Sequence, residues 1–293
     1  MRADHASRTA EYMALFRALE TARPPAQRLF ADPYAARFLD GQLRGIAELA
    51  RLPRVADGLA RLIDWRWPGA RSSGVARTRL IDDALAAALA DGALQVVLLG
   101  AGFDARAWRL AALASVPVVE VDHPATGAAK RSRLGRAAVV QEHVRFAAID
   151  FARQELAEVL VPPLYDAGAR TFFVWEGVTN YLDAAAVDAT LRFVSGAARG
   201  SQILFTYIDR AVLADPARFL GAAAVSRFVG AASEPWTFGL DPAELGGYLS
   251  ARGLSLTWDL GAADYRARYF GTEEAARLRG YEFYHAALAQ VMG

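Results

Sequence analysis

Gln95 to Leu110 reads QVVLLGAGFDARAWRL, the pattern of a buried parallel strand running into a glycine turn that carries an acid. Val96, Val97, Leu98 and Leu99 form a short unbroken apolar run with β-branched residues, which suits a strand covered on both faces. Gly100 and Gly102 then allow the backbone to turn sharply and to approach a ligand with no Cβ in the way. Gly100, Gly102 and Ala105 also fit the relaxed dinucleotide pattern GxGxxA, and similar glycine pairs occur in ordinary strand-to-helix turns. Asp104 weighs against a dinucleotide, because the pyrophosphate would sit over the glycines and the next helix N-terminus, beside a like charge. S-adenosylmethionine has no phosphate and carries positive charge on its ammonium and its sulfur, so an acidic glycine loop is compatible with it.

Val116 to Val121, VPVVEV, reads as a second strand, and Asp122 closes it. An acid there, about 20 residues past the glycines, is where a ribose diol is gripped in this architecture. A carboxylate accepts both hydroxyls in charge-assisted hydrogen bonds. The alternative is that Asp122 caps a helix starting near Pro124. Two further strands end on acids, Asp150 and Glu176, and ligands of open α/β sheets bind outside the carboxyl ends of the strands. The three carboxylates are therefore expected to converge on one crevice with Gly100 and Gly102.

The composition sets outer limits. At 293 residues, 54% hydrophobic and 22% charged, the chain is expected to fold around a large core as one big domain or two small ones. A net charge of +1 with scattered charges gives no footprint for nucleic acid. The absence of cysteine removes disulfides, thiolate catalysis and cysteine metal sites together. His5, His123, His143 and His285 lie far apart with no metal-ligand spacing, so no metal is expected. The opening MRADHASRTAEYMALFRALETARPP lacks the apolar core of a signal peptide, and no run approaches the ~20 residues needed to span a bilayer. The expectation is a cytoplasmic, soluble chain with no membrane partner. Lys130 is the single lysine among 33 basic residues, which reads as compositional bias.

Apolar spacing predicts a helix over residues 8 to 21, stopped by Pro24 and Pro25, and a second from Pro33 to Leu52 with Asp32 as its N-cap. Arg54 to Trp65 reads as a third helix, Trp65 to Gly74 as loop, and Val75 to Asp91 as a long alanine-rich helix. From Leu94 onward strands and helices alternate, which implies an α/β fold with a parallel sheet covered on both faces. The strands are placed at 94–100, 116–121, 144–149, 171–175, 202–208 and 254–258, with a last one near 281–287. The last two lack a parallel crossover between them, which favours an antiparallel final strand.

With these residues in hand, the chain resembles the leucine carboxyl methyltransferase family of S-adenosylmethionine-dependent methyltransferases, in particular its bacterial branch that includes polyketide O-methyltransferases. The likeness runs through AEYMALFRALET, LFADPYAARFL, ARTRLIDD, QVVLLGAGFDARAWRL, EVDHP, AAIDF, WEGVTNYL and GSQILFTYID. It implies a class I methyltransferase fold: a Rossmann-like seven-stranded, mostly parallel sheet with an antiparallel last strand. Residues 1–92 would form an N-terminal helical cap and 93–293 the cofactor-binding part of one integrated domain. Carried over by motif, Gly100 and Gly102 pass the methionine moiety, Asp122 holds the ribose, Asp150 accepts from the adenine amino group and Phe151 flanks the ring. Arg77 binds the methionine carboxylate, with Arg79 as its rival, and Glu176 lies near the ammonium. The carboxylate-binding lysine of the eukaryotic branch has no counterpart. Arg17 is the candidate stand-in, set against a plain solvated helix face.

Methyl transfer from a sulfonium is an in-line displacement in which the enzyme mainly positions the nucleophile. The resemblance implies an oxygen nucleophile on a small molecule. A carboxylate arrives ionised at neutral pH, whereas a phenol with a pKa near ~10 gains from a base. No residue stands out as that base, His123, Tyr181 and Tyr207 being the candidates, so a methyl ester of an aromatic or polyketide-type acid is the expected product and a phenolic ether the alternative. Tyr12, Tyr181, Tyr207, Trp236 and Phe238 are candidate acceptor-pocket residues, against the alternative that they are core. A nicotinamide-dependent oxidoreductase and a silent binding module remain the rival classes. The sequence does not fix the oligomeric state.

Overall fold

The computed structural model describes residues 7–136, 142–151, 153–232 and 234–292; His5 and the rest of the first six residues lie outside it. Seven strands form one sheet: β1 (Gln95–Leu99), β2 (Val118–Asp122), β3 (Val144–Ala148), β4 (Thr171–Trp175), β5 (Gln202–Ile208), β6 (Leu254–Gly261) and β7 (Tyr284–Val291). Their order is β3-β2-β1-β4-β5-β7-β6. The first five pair in parallel, and β7 runs antiparallel between β5 and β6, with Gln202 opposite Gln290 and Ile208 opposite Tyr284. The reversal of strand order at β1 and β4 opens a crevice at the carboxyl ends of these strands, where ligands of such sheets bind.

The period of two along each strand divides the core into two layers. Val96, Leu98, Val118, Phe172, Val174 and Leu204 face one way, and Val97, Leu99, Val119, Phe173, Ile203 and Phe205 the other. The first layer is closed by the N-terminal helices α1 (Arg8–Ala22), α2 (Gly41–Leu49), α3 (Pro53–Arg66) and α4 (Ala70–Ala90). Ala14, Leu15 and Phe16 of α1 and Ile81 and Leu85 of α4 belong to the same cluster as β1 and β2, so the core runs from the N-terminal region into the sheet without a break. After β1 comes the short α5 (Arg106–Arg109), after β2 comes α6 (Pro124–Leu134), and the segment between β5 and β6 contains a helix at Ala222–Ala231.

Three expectations change. The single helix over 33–52 is instead a 3-10 turn, Ala35–Phe38, followed by α2. Asp32 does receive the Tyr34 and Ala35 N–H groups, each at 3.0 Å, but extended backbone at Leu39 and Asp40 interrupts the helix. Residues 65–74 are not a loop: only Trp67 to Gly69 separates α3 from α4. Ser72 and Ser73 are tolerated in the helix because their hydroxyls find partners, Ser72 on Leu278 O at 3.1 Å and Ser73 on the Tyr265 hydroxyl at 2.6 Å. The last strand begins at Tyr284 rather than 281, since Tyr281 sits in a turn at φ 68°.

Candidate functional site

A cavity of about 770 Å³ lies across the strand ends and under α1, within the ~300–1,000 Å³ usual for small-molecule sites. Gly100, Gly102, Asp104, Asp122, Asp150, Phe151, Glu176 and Arg77 all line it. Gly100 has φ 64°, and a Cβ there would collide with the Val178 side chain, so position and conformation both require glycine. The turn is tied to the second strand by Asp122, whose Oδ2 accepts from the Gly102 N–H and whose Oδ1 accepts from the His123 N–H at 2.6 Å. Burial pushes the Asp122 carboxyl above its usual range, and these two backbone donors oppose the shift. The cap of α6 is His123, whose Nδ1 accepts from the Ala125 N–H at 3.3 Å, so Asp122 is left to the loop and the cavity.

Behind the glycine turn lies a buried ion network that the sequence reading had only in part. Arg77 Nε donates to Glu176 Oε1 at 2.8 Å, and its guanidinium lies over the Tyr284 ring at 4.6 Å. Arg106 reaches Asp82 at 2.8 Å, Glu176 at 3.0 Å and Asp104, and its backbone N–H is accepted by Asp104 at 2.7 Å. Arg109 shares Asp82 at 2.7 Å. Burial alone would raise the Glu176 carboxyl, but Arg106 and Arg77 outweigh it and hold the acid below its ordinary range. The same contest leaves Asp104 at about 2, with Arg106 the largest opposing charge. Both acids are therefore anionic throughout the physiological range. Arg79, the rival of Arg77, turns away to Asp83 at 2.8 Å and Leu29 O at 2.7 Å.

Arg17 is neither a solvated face nor a free cation. It is buried, donating to Asp32 at 2.9 Å and to the Phe103 carbonyl at 2.6 Å, and so clamps α1 onto the glycine loop. Asp150 and Phe151 reach the cavity at its far end, where Arg153 stands 3.6 Å from Asp150.

The opposite end of the cavity is walled by rings. Tyr12 meets Phe228 at 4.9 Å and Trp67 at 6.0 Å, both edge to face. Trp236 packs on Phe283, and Tyr281 stacks on Tyr284 at 5.5 Å. Tyr181 also lines this end, and burial pushes its phenol up to about 12, so it is a donor and not a base. Glu234, in the segment after the Ala222–Ala231 helix, accepts from the Thr9 hydroxyl at 2.5 Å. Trp67, Phe228, Tyr281, Tyr284 and Glu234 were missed by sequence reasoning, and none sits in a motif that marks it. Arg106 had a signal, standing two residues beyond Asp104 at the start of α5.

Two candidates fall outside the cavity. Tyr207 is on the opposite face of β5: alternation points Thr206 toward Gly177 and Tyr284, while Tyr207 is buried beneath, donating to Asp259 at 2.7 Å and stacked on His285. Burial and that acid push the Tyr207 phenol far up, which removes it as a base. Phe238 packs into the same lower layer. Among the described residues no group of three His, Asp or Glu side chains could hold a metal, and no helix is long and apolar enough to cross a membrane.

The donor set suits a phosphate-free, zwitterionic ligand: acids at three strand ends, and one guanidinium beside one carboxylate behind the glycines. The comparisons agree. Residues 10–195 match the leucine carboxyl methyltransferase family. A Frankia alni protein described as an S-adenosyl-L-methionine-dependent methyltransferase is 36% identical over 229 residues, 78% of this chain and 75% of its own. A Streptomyces coelicolor protein of the same description is 35% identical, covering 70% of each chain. Among solved structures, a DUF574 family protein from Streptomyces avermitilis superposes with TM-score 0.56 at 15% identity over 81% of this chain and 90% of its own, a likeness of fold. The chain thus belongs to the leucine carboxyl methyltransferase family of S-adenosylmethionine-dependent methyltransferases.

Proposed function

We propose that the enzyme methylates an oxygen of a small aromatic acceptor. The observation that carries this is one continuous cavity in which a charged cofactor end opens into a chamber of aromatic rings. When bound, S-adenosylmethionine supplies a methyl group already activated by its sulfonium. The chain's part is to bind and aim. Asp122 accepts the ribose hydroxyls while keeping the glycine turn in place, and Asp150 and Phe151 take the adenine. Arg77 holds the amino-acid carboxylate, and Glu176, fixed by two guanidiniums, faces the ammonium. Tyr12, Trp67, Phe228 and Trp236 position a flat acceptor and exclude water. The resemblance to polyketide O-methyltransferases supports the same substrate class. The carboxylate acceptor expected from the sequence rested on family likeness and on a missing base, and against the second ground Glu234 lines the ring-walled end.

Calorimetry tests the reading. S-adenosylhomocysteine should bind and NAD should not. Asp122→Ala should weaken the former by roughly tenfold to several hundredfold, two charge-assisted bonds being worth ~1.5–3 kcal/mol each at most. Binding of NAD without S-adenosylhomocysteine would overturn the assignment.

A further inference from the structure

The charges of the cavity are unevenly placed, and this bears on which oxygen is methylated. Its buried guanidiniums all belong to the cofactor end and are already matched: Arg17 with Asp32, Arg77 with Glu176, Arg106 with Asp82, Asp104 and Glu176, and Arg109 with Asp82. Arg153 stands beside Asp150 with its side chain 83% exposed. Around the rings of Tyr12, Trp67, Phe228 and Trp236, the one charged lining residue among those described is Glu234, while Arg77, paired with Glu176, lies against the Tyr284 ring beside Tyr281. Arg66 is close in sequence, but its guanidinium lies over the Trp67 ring at 5.2 Å and does not line the cavity.

Glu234 is held rather than dangling. Its Oε2 accepts from the Thr9 hydroxyl at 2.5 Å and the Thr9 N–H at 3.4 Å, in the first turn of α1, where the helix end favours an anion. Its own N–H is anchored on Val229 O at 2.8 Å. Among the described residues no hydrogen bond reaches Oε1. A carboxylate acceptor placed here would meet a like charge with no spare cation to offset it, whereas a hydroxyl would meet an acceptor.

We propose that the methyl acceptor is a hydroxyl group on an aromatic molecule and that Glu234 Oε1 accepts its hydrogen bond and then its proton. The inference rests on the methyl-transfer reading above. In the step, the acceptor oxygen forms the O–CH₃ bond, the S–CH₃ bond breaks with its electron pair returning to sulfur, and the hydroxyl proton passes to Glu234 and on to water. The products are an aryl methyl ether, a neutral thioether and one proton.

The matched probes 2-naphthol and 2-naphthoate differ in the group presented at Glu234. With saturating S-adenosylhomocysteine, wild type should bind 2-naphthol about tenfold or more tighter than 2-naphthoate, like charges in contact costing several kcal/mol. Glu234→Gln keeps an acceptor for Thr9 but removes charge and basicity. It should bring the two affinities within about threefold of one another and cut labelled methyl transfer to 2-naphthol by ~10²-fold or more. Thr9→Val, which loosens the pin but spares the carboxylate, should leave the preference in place. A wild-type preference for 2-naphthoate, or a preference unmoved by Glu234→Gln, overturns the proposal, as does equal loss in Thr9→Val, which would make Glu234 only a pin for α1. Failure of wild type to bind S-adenosylhomocysteine would instead strike the methyl-transfer reading.

Discussion

At the end of the cavity proposed for the cofactor the side chains are charged and already paired, whereas the end proposed for the acceptor is a cage of rings with one carboxylate. The first is assembled from strand ends and the loops that follow them: Asp104, Asp122, Asp150 and Glu176 come from four successive crossovers of the sheet. The second is assembled from pieces with no such order: the first turns of α1, the break between α3 and α4, the Ala222–Ala231 helix, the segment at 234–237 and the turn before β7. Pre-pairing makes the cofactor end rigid before any ligand arrives, which suits a ligand shared by the whole family. A wall of rings with few polar groups holds a ligand by shape and ring contacts rather than by charge.

The sharpest way to break this contrast is Arg106→Ala. Arg106 is 2% exposed and is the hub of three carboxylates, so its loss should cost ~3–5 kcal/mol of stability, as for other buried ion pairs with one partner removed. Chemical denaturation measures it, and a loss below about 1 kcal/mol would mean the network is not pre-formed. The acid limb gives a second readout. Asp104 is held at about 2, below its unfolded value near 3.8, so its contribution is present above pH ~4 and is lost as pH falls toward 2. That contribution is on the order of 2 kcal/mol, and in Arg106→Ala this part of the acid limb should flatten.

Arg77→Ala tests the division of labour within the cofactor end. A hydrogen-bonded charge pair is worth ~1.5–3 kcal/mol, so S-adenosylhomocysteine should bind roughly tenfold to a hundredfold more weakly. Adenosine, which has no amino-acid end, should bind within about twofold of wild type. Equal losses for both ligands in calorimetry would show that Arg77 acts by holding Glu176 and Tyr284 rather than by touching the cofactor.

The same contrast explains what could be read in the sequence. Asp122, Asp150 and Glu176 were legible because strand topology alone sends the residue after a parallel strand to the crevice. Arg77 was legible by motif, and the structure separates it from Arg79. Tyr207 misled because an aromatic near a strand end carries no label for its face; only the register, with Thr206 toward Gly177, decides it. Neither reading of Arg17, ligand-binding stand-in or solvated face, foresaw the clamp that buries it, because Phe103 O and Asp32 lie in other segments of the chain. Glu234 was silent for the same reason: a lone acid before Pro235 gains meaning only when α1 folds over it.

The smallest expected effect concerns α1, which joins the two ends and divides in two along its length. Its second half, from Ala14 to Glu20, is buried and clamped by Arg17 to the glycine loop. The first turns are half-exposed apart from the buried Glu11, with Ala10 against Gly102 on one side and Thr9 on Glu234 on the other. The cap foreseen over residues 1–92 is therefore proposed to move only here, since lids are drawn from the less stable parts of a structure. Amide exchange in residues 8–13 should slow by about three- to tenfold when S-adenosylhomocysteine and 2-naphthol bind together, while residues 14–20 stay as protected as before. Full protection of 8–13 in the free protein would make the whole helix fixed scaffold. Slowing that reaches 14–20 as well would mean the clamp at Arg17 opens, and would erase the distinction between a rigid cofactor end and a yielding acceptor end.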